Sequence, residues 1–537
     1  MSKKRSPFTR RSFLKTSAAA AVGAASLPKT FAFTPPQTAK YTRYDVTSDR
    51  GKRALRSYIN GIHAMLQLPP THPHNWFRNA FVHLMDCPHG NWWFWMWHRG
   101  YCGYFEETIR NLSGDTSFAM PYWDWTTLPE IPANMFDDVL TPKDQAYARY
   151  TLNLDIFTSF IKAPLNAYWD TLNAAQRQQL NIRKYFNFSD LWNDVTGNGV
   201  PGDMCFATTA NARYLTRENP KLDPATAANC APQKILDGLQ PQEYYNFDVS
   251  LSFSSTKTPS HMTPPVGAKF SLLEGFPHNK VHNYIGGVGP LNPGPYGNMT
   301  NFLSPVDPIF HLHHANLDRL WDVWTRKQER IGKPILPTDP TQLKDLSDEL
   351  FMFYVNGEGK FVPPTKASEY FSMKRFDYEY QPGFPENLLE TIKPHPKRTR
   401  MQVRAKVKGN TATTAISSDA VREHLAAPAA TLVAEVTVPH PSSGSDTREF
   451  YVLVGAPEGV TEVDPKSPYF AGTLAFFGPM HEHAMGDATF AVSLPKAPQA
   501  FKGLAATNAT VDIRIVPADK RSQKPVLLKS VTIRSIE

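Results

Sequence analysis

The stretch CPHGNWWFWMWHRGYCGYFE, Cys87–Glu106, puts five aromatic residues into the six positions from Trp92 to Trp97, between His89 and His98. Cys87 stands two residues ahead of the first of these histidines. A helix that faces water on one side does not carry such a run, so the segment reads as a buried helix, predicted over Asn91–Asn111. Trp92, Trp93, Phe94, Trp95 and Trp97 are core by this reading, and they dry and stiffen the ground on which His98 stands. A further helix, predicted over Trp76–Met85, carries His83 into the same neighbourhood.

A second group of histidines follows nearly two hundred residues later. His278 and His282 are spaced i, i+4 in HNKVH, which brings both rings to one face of a helix predicted over His278–Tyr284. His311, His313 and His314 crowd the start of another, predicted over His311–Gln328, and a first helix is predicted over Lys52–Leu68. A single histidine on an apolar face is usually a hydrogen-bonded core residue, but two groups of three suggest a dinuclear metal site built between helices. Imidazole ligation without a cysteine or carboxylate pair suits copper, zinc, iron or nickel, so donor chemistry alone leaves the metal open. The missing carboxylates speak against a di-zinc or di-iron hydrolase.

Longer motifs narrow the choice. His83-x5-His89-x8-His98-Arg99 with Cys87-Pro88-His89, then PYWDW (Pro121–Trp125), DPIFHLHHANLDRLW (Asp307–Trp321) and Tyr378-Glu379-Tyr380 occur in order along the chain. Together they resemble the tyrosinase and polyphenol oxidase family of type 3 copper proteins. The resemblance implies a mainly α catalytic domain, a four-helix bundle holding two copper ions. His83, His89 and His98 would bind one copper, and His278, His282 and His314 the other. It implies a thioether between Cys87 and His89, with His313, Asp318 and Arg99 as neighbours of the ligands: Asp318 orienting an imidazole, Arg99 in an ion pair. Glu274 and Asn279 correspond to the pair that holds a catalytic water base, and Phe302 to a gate over the first copper. The implied activity is that of an O2-dependent oxidase of phenols and catechols such as L-tyrosine and L-DOPA. Catechol oxidase and a haemocyanin-like O2 carrier stand as the alternatives.

Texture changes after residue 380. Residues 381–398 are Pro-rich and polar, a linker by composition. Then come short β-branched runs, MQVRAKV, ATLVAEVTV, EFYVLVG, GTLAFFG, ATFAVSL, VDIRIV and LLKSVTI, separated by turn residues. They predict an all-β sandwich over 399–537, behind a catalytic domain over 40–380. The resemblance implies that this domain keeps the enzyme latent, with Phe477 or Phe476 lodged in the site until a protease cuts the linker. Only one of these adjacent rings can face its own core if the strand alternates. Met480, His481, His483 and Met485 read either as a Cu(I) donor or as loop packing.

The formal net charge of +8 does not indicate a nucleic-acid partner. Lys3, Lys4, Arg5, Arg10, Arg11, Lys15 and Lys29, with no acid before residue 33, leave +1 for the remainder. Residues 1–32, with Arg10-Arg11 ahead of an Ala-rich run, resemble a twin-arginine signal, implying an exported protein, periplasmic or secreted. No membrane-spanning run follows. Of the four cysteines, Cys102 reads as a buried thiol, and Cys205 and Cys230 as either a disulfide or separate thiols.

Overall fold

The computed structural model describes residues 39–263, 266–386, 401–442, 447–460, 463–480, 486–519, 521 and 527–536. The predicted signal segment and most of the predicted linker lie outside them, as do His481, His483 and Met485.

The helical unit is built on α1 (Asp49–Gln67), α2 (Trp76–Asp86), α3 (Phe94–Ser113), α4 (Asn279–Gly286) and α5 (Ile309–Arg330). Local chemistry sets their starts: Ser48 accepts from Gly51 N–H ahead of α1, and Asn75 from Arg78 N–H ahead of α2. The aromatic helix begins at Phe94 rather than Asn91, because Asn91 turns its side chain outward to donate to the His261 carbonyl and accept from Trp93 N–H. From Phe94 to Glu106 every residue of α3 is buried. Trp92, Trp93, Trp97, Trp123, Trp125, Trp321 and Trp324 are among the largest fully buried side chains. Each buried tryptophan retains roughly 2–3 kcal/mol of transfer free energy.

Strand β1 (Tyr41–Arg43) pairs in parallel with β3 (Tyr378–Tyr380) and closes this unit, while β2 (Lys269–Phe270) points away from it. The first residues of the predicted linker are not loose. Gln381 N–H donates to the Arg43 carbonyl, Arg319 to the Phe384 carbonyl, and Glu386 pairs with Arg326.

The C-terminal residues form two five-stranded sheets. The strands are β4 (Gln402–Arg404), β5 (Lys406–Lys408), β6 (Thr411–Ser417), β7 (Leu432–Pro439), β8 (Glu449–Val454), β9 (Phe470–Ala475), β10 (Asp487–Ser493), β11 (Asn508–Pro517) and β12 (Ser530–Ser535). One sheet runs β9-β8-β11-β6-β5, the other β2-β10-β7-β12-β4. The predicted runs fall on strands, with two additions. Strand β6 has no apolar run, and only Ala412 and Ile416 are buried along it; antiparallel pairing with β11 holds it. Strand β2 belongs to the helical unit yet adds in parallel to β10, with Thr489 N–H donating to the Ala268 carbonyl. The sandwich is therefore stitched to the helices through backbone. Strand β7 shows the result: Leu432–Val436 is buried without alternation.

Candidate metal centre

Helix α2 carries His83 in its last turn, and Cys87 caps that helix. A loop brings round His89, and α3 supplies His98. A single π turn, Glu274–His278, sets His278 just ahead of α4, which carries His282, and α5 carries His314. Such one-turn irregularities recur at functional sites.

The second atoms of these rings decide what the site can do. His83 Nδ1 donates to the Phe302 carbonyl at 2.7 Å, His98 Nδ1 to the Phe94 carbonyl at 2.8 Å and His282 Nδ1 to the Met299 carbonyl at 2.7 Å. His278 Nδ1 meets Asn279 Oδ1 at 2.7 Å. An oxygen acceptor assigns the ring hydrogen to Nδ1, so each Nε2 presents a bare lone pair. His83 and His98 face each other Nε2 to Nε2 at 3.4 Å, and His282 and His314 at 3.2 Å. Between His83 and His98, whose ring hydrogens both sit on Nδ1, the facing lone pairs repel unless a cation lies between them. Burial first, then neighbouring rings, hold the basicity of these imidazoles far below the ordinary range, His278 at about 3, so all are neutral and ready to ligate. The two groups abut, with His98 stacked on His314 at 4.3 Å and His89 on His278 at 5.4 Å between centroids. The clustered donors there are histidine and Cys87, with no carboxylate. This donor set fits two imidazole-bound metal ions.

The other histidines of α5 are sorted by their neighbours. Trp125 Nε1–H donates to His313 Nδ1 at 3.2 Å, which places the His313 hydrogen on Nε2 and leaves that nitrogen without a lone pair for a metal. His311 stacks flat on Phe105 at 3.6 Å, inside the helical core. His314 remains, as the family pattern implies.

Asp318 does not orient an imidazole, contrary to the expectation; backbone carbonyls do that. Its carboxylate takes Arg99 Nε at 2.7 Å, Arg43 Nη1 at 3.1 Å and the hydroxyls of Tyr378 and Tyr380. Two guanidinium charges outbid a neutral ring for a buried carboxylate. The ion pair expected for Arg99 is thus with Asp318.

Glu274 and Asn279 are likewise engaged. Glu274 accepts from Gly90 N–H at 2.6 Å and from the Ser255 hydroxyl, pinning the turn that follows His89. Burial raises its carboxyl to about 7. Asn279 accepts from His278 and donates through Nδ2 to the Ala475 carbonyl at 2.8 Å. Phe302 lies parallel to His89, 5.3 Å away, and the Arg183 guanidinium lies 4.7 Å from the centre of the Phe302 ring while donating to the Cys87 carbonyl. Cys87 is buried beside His83 and His89. Cys205 and Cys230 carry separate buried thiols, and burial pushes the thiols of Cys102 and Cys230 up.

From the sandwich, the end of β9 reaches into this place. Phe476 faces its own core, 5.2 Å from Phe490. Phe477 points the other way, 4.4 Å from His282, 4.9 Å from His89, 5.5 Å from His278 and 5.7 Å from Phe302. Met480 is buried in the sandwich core, and its N–H donates to Asp203.

Three sets of residues escaped sequence reasoning. Lys280 and Glu449 form a buried ion pair at 2.7 Å across the junction. Asn229 and Asn283 contact β9; only Asn283 had a signal, since His282-Asn283 repeats His278-Asn279 one turn on. His261 bridges Asp86 and Glu349, one carboxylate on each ring nitrogen, so it carries both hydrogens. Burial alone would lower its basicity, but the carboxylates raise it to about 9. Asp86 also accepts from Trp97 Nε1–H at 2.7 Å, tying the end of α2 to α3 beside His98.

Comparison with known proteins bears on the same residues. The common central domain of tyrosinase matches residues 57–327. The chain belongs to the tyrosinase family. Members of this family bind a dinuclear copper centre. Among its relatives, polyphenol oxidase A1 of Vicia faba is 25% identical over 404 residues, 70% of this chain and 55% of that one. Tyrosinase HcTyr1 of a Hahella species is 27% identical over 304 residues, 56% of this chain and 48% of that one. The chain thus spans about half the length of these relatives. The fold, β-domain included, is similar to that of a latent aurone synthase, with a TM-score of 0.54 at 19% identity over 95% of this chain and 92% of the other. A latent apple tyrosinase has a TM-score of 0.51 at 17% identity, over 94% and 98%. No helix among the described residues is long and apolar enough to cross a membrane.

Proposed function

We propose that this member of the tyrosinase family is a dicopper oxidase that uses O2 to hydroxylate monophenols at the ortho position and to oxidise o-diphenols to o-quinones. It is made latent by its β-domain. One observation carries the reading: two facing groups of neutral imidazoles, of which His83, His98, His278 and His282 are locked with bare Nε2 atoms, enclose an aromatic ring donated by that domain. His83, His89 and His98 would hold one copper, and His278, His282 and His314 the other. Two bound copper ions supply the redox capacity for O2 to act on a phenol. The protein residues place the ring and move its proton. A phenol releases its proton near pH 10 in water, and Glu274, brought to about 7 by burial, is poised to share it. Asn279, released from the Ala475 carbonyl, can hold a substrate group in its place. Cys87 lies where a thioether to His89 would fix that ring. The leader is proposed as a twin-arginine export signal, and the activating cut as one within residues 387–398.

Oxygen uptake with L-tyrosine and with L-DOPA, on copper-loaded protein before and after limited proteolysis at 387–398, tests the proposal. Oxidation of both, rising on cleavage, is expected. Oxidation of L-DOPA alone would favour a catechol oxidase, a reading suggested by the Phe302 ring parallel to His89, and metal binding without turnover would favour an O2 carrier.

Phe477→Ala in the intact chain separates plugging from cleavage. Phe477 is partly buried, and full burial of a phenylalanine ring is worth about 1.5–3 kcal/mol, an upper bound on what its occupancy of the site contributes. L-DOPA oxidation without proteolysis is therefore expected to rise by up to about 10- to 100-fold. An unchanged rate would show that Phe477 does not compete with substrate.

A further inference from the structure

Strand β9 is the edge of its sheet, and an edge exposes unpaired backbone groups. Here the missing neighbour is replaced by three asparagine side chains of the helical unit. Asn229 donates to the Thr473 carbonyl at 3.0 Å and accepts from Thr473 N–H at 3.1 Å, as a partner strand would. Asn279 donates to the Ala475 carbonyl at 2.8 Å, and Asn283 to the Phe476 carbonyl at 3.0 Å. All three asparagines are buried. Their contacts to β9 are with its peptide groups and read none of that strand's side chains. The next residue after this ladder is Phe477, the ring among the histidines.

We infer that this face is a peptide-reading site: once vacated, it takes a tyrosyl residue carried on an extended polypeptide, with Asn229, Asn279 and Asn283 holding the backbone that precedes the tyrosine. The path also defines the sequence it accepts. Gly478 has φ +94, and a Cβ there would stand 2.8 Å from the Phe302 ring. A substrate on this path therefore carries glycine directly after its tyrosine. Gly472 has φ +138 and passes against Phe276 where no Cβ fits, so a second glycine five residues before the tyrosine is favoured. The inference rests on the dicopper oxidase reading and names a substrate class for that same site. The reaction balances with O2 alone. One oxygen atom forms a bond to the ring carbon ortho to the hydroxyl and becomes the second carbonyl of an o-quinone. The ortho hydrogen and the hydroxyl hydrogen leave with the other oxygen atom as water.

Phe477→Tyr in the intact, copper-loaded chain places a phenol on the ladder without any added substrate. Peptide mass mapping after exposure to O2 is expected to find one oxygen gained and two hydrogens lost at position 477. Tyr451 on β8 and Tyr469 just ahead of β9 should be unchanged, as should a copper-free control. Adding Asn229→Leu to this variant removes both contacts to Thr473, and misplacing a reacting ring is expected to slow its modification about tenfold. An unmodified residue 477, in a preparation that binds two copper ions per chain and oxidises a small catechol after linker cleavage, overturns the inference alone. So does an Asn229→Leu rate equal to that of the single variant, or modification spread equally over the three tyrosines. A preparation that neither binds copper nor oxidises the catechol overturns the function on which the inference rests, and the inference with it.

Discussion

Lowering the pH of the metal-free protein from 6.5 to 5.5 is expected to bring it to the edge of unfolding. His83, His89, His98, His278, His282, His311, His313 and His314 are all buried and neutral, with burial the first cause of their lowered basicity. In the unfolded chain each titrates near pH 6.5. A group whose folded pKa is depressed adds stability above its unfolded pKa and withdraws it as pH falls. Across this single pH unit each ring withdraws about 1 kcal/mol, so the eight together withdraw about 8. Glu274, raised to about 7, works in the opposite sense, because its folded form gains a proton in this window. It restores only about 1 kcal/mol. The remainder is comparable with the whole stability of a typical domain, about 5–15 kcal/mol. His261, raised to about 9, keeps its full contribution in acid and loses it only as pH rises from about 6.5 toward 9. Tryptophan fluorescence and near-ultraviolet circular dichroism followed from pH 8 to 4 should show a steep transition in the metal-free chain. It should shift to lower pH on loading with copper, which by the proposed ligation would take nitrogens of His83, His89, His98, His278, His282 and His314 that protons seek. A metal-free fold unchanged at pH 5 would mean that the rings accept protons in place.

Asp318→Ala is expected to cost about 3–5 kcal/mol, because it leaves a buried cation without its counter-charge. Asp318 sits on α5, one turn beyond His314, and joins that helix to three elements: Arg43 from β1, Arg99 from α3, and Tyr378 and Tyr380 from β3. Arg43 keeps Glu106 as a partner at 2.7 Å after the substitution. Arg99 keeps only the Tyr370 and Phe371 carbonyls and the face of Trp321. Its uncompensated charge dominates the cost. Asp318→Asn retains shape and one acceptor, so comparison of the two by urea denaturation separates charge from packing. An exposed pair such as Lys360–Glu358 provides the contrast; its removal should leave the denaturation midpoint essentially unchanged, because solvent screens it. A cost for Asp318→Ala as small as that would show that water reaches the network.

The sequence by itself determined what depends on local pattern. Hydrophobic periodicity and capping residues placed α1, α2, α3, α4 and α5 within a few residues of where they lie, and β-branched runs marked most of the sandwich strands. The i, i+4 spacing of His278 and His282 is enforced by helix geometry alone. Tertiary structure decided matters that hinge on which atom meets which across long separations. His313 and His314 are adjacent and chemically identical, and the indole of Trp125 turns one into a donor while the other keeps its place beside His282. Phe476 and Phe477 are equally apolar, and the end of β9 gives one to each side. Asp318 was legible as a carboxylate neighbour of the ligands through its motif, but its choice of two arginines over an imidazole follows from charge brought in by β1 and α3. Strands β2 and β6 have no apolar signature because pairing with β10 and β11, rather than burial of large side chains, holds them. The asparagine ladder on β9 is of the same kind: an amide that completes another segment's backbone has no periodicity of its own, and only the folded chain sets the two side by side.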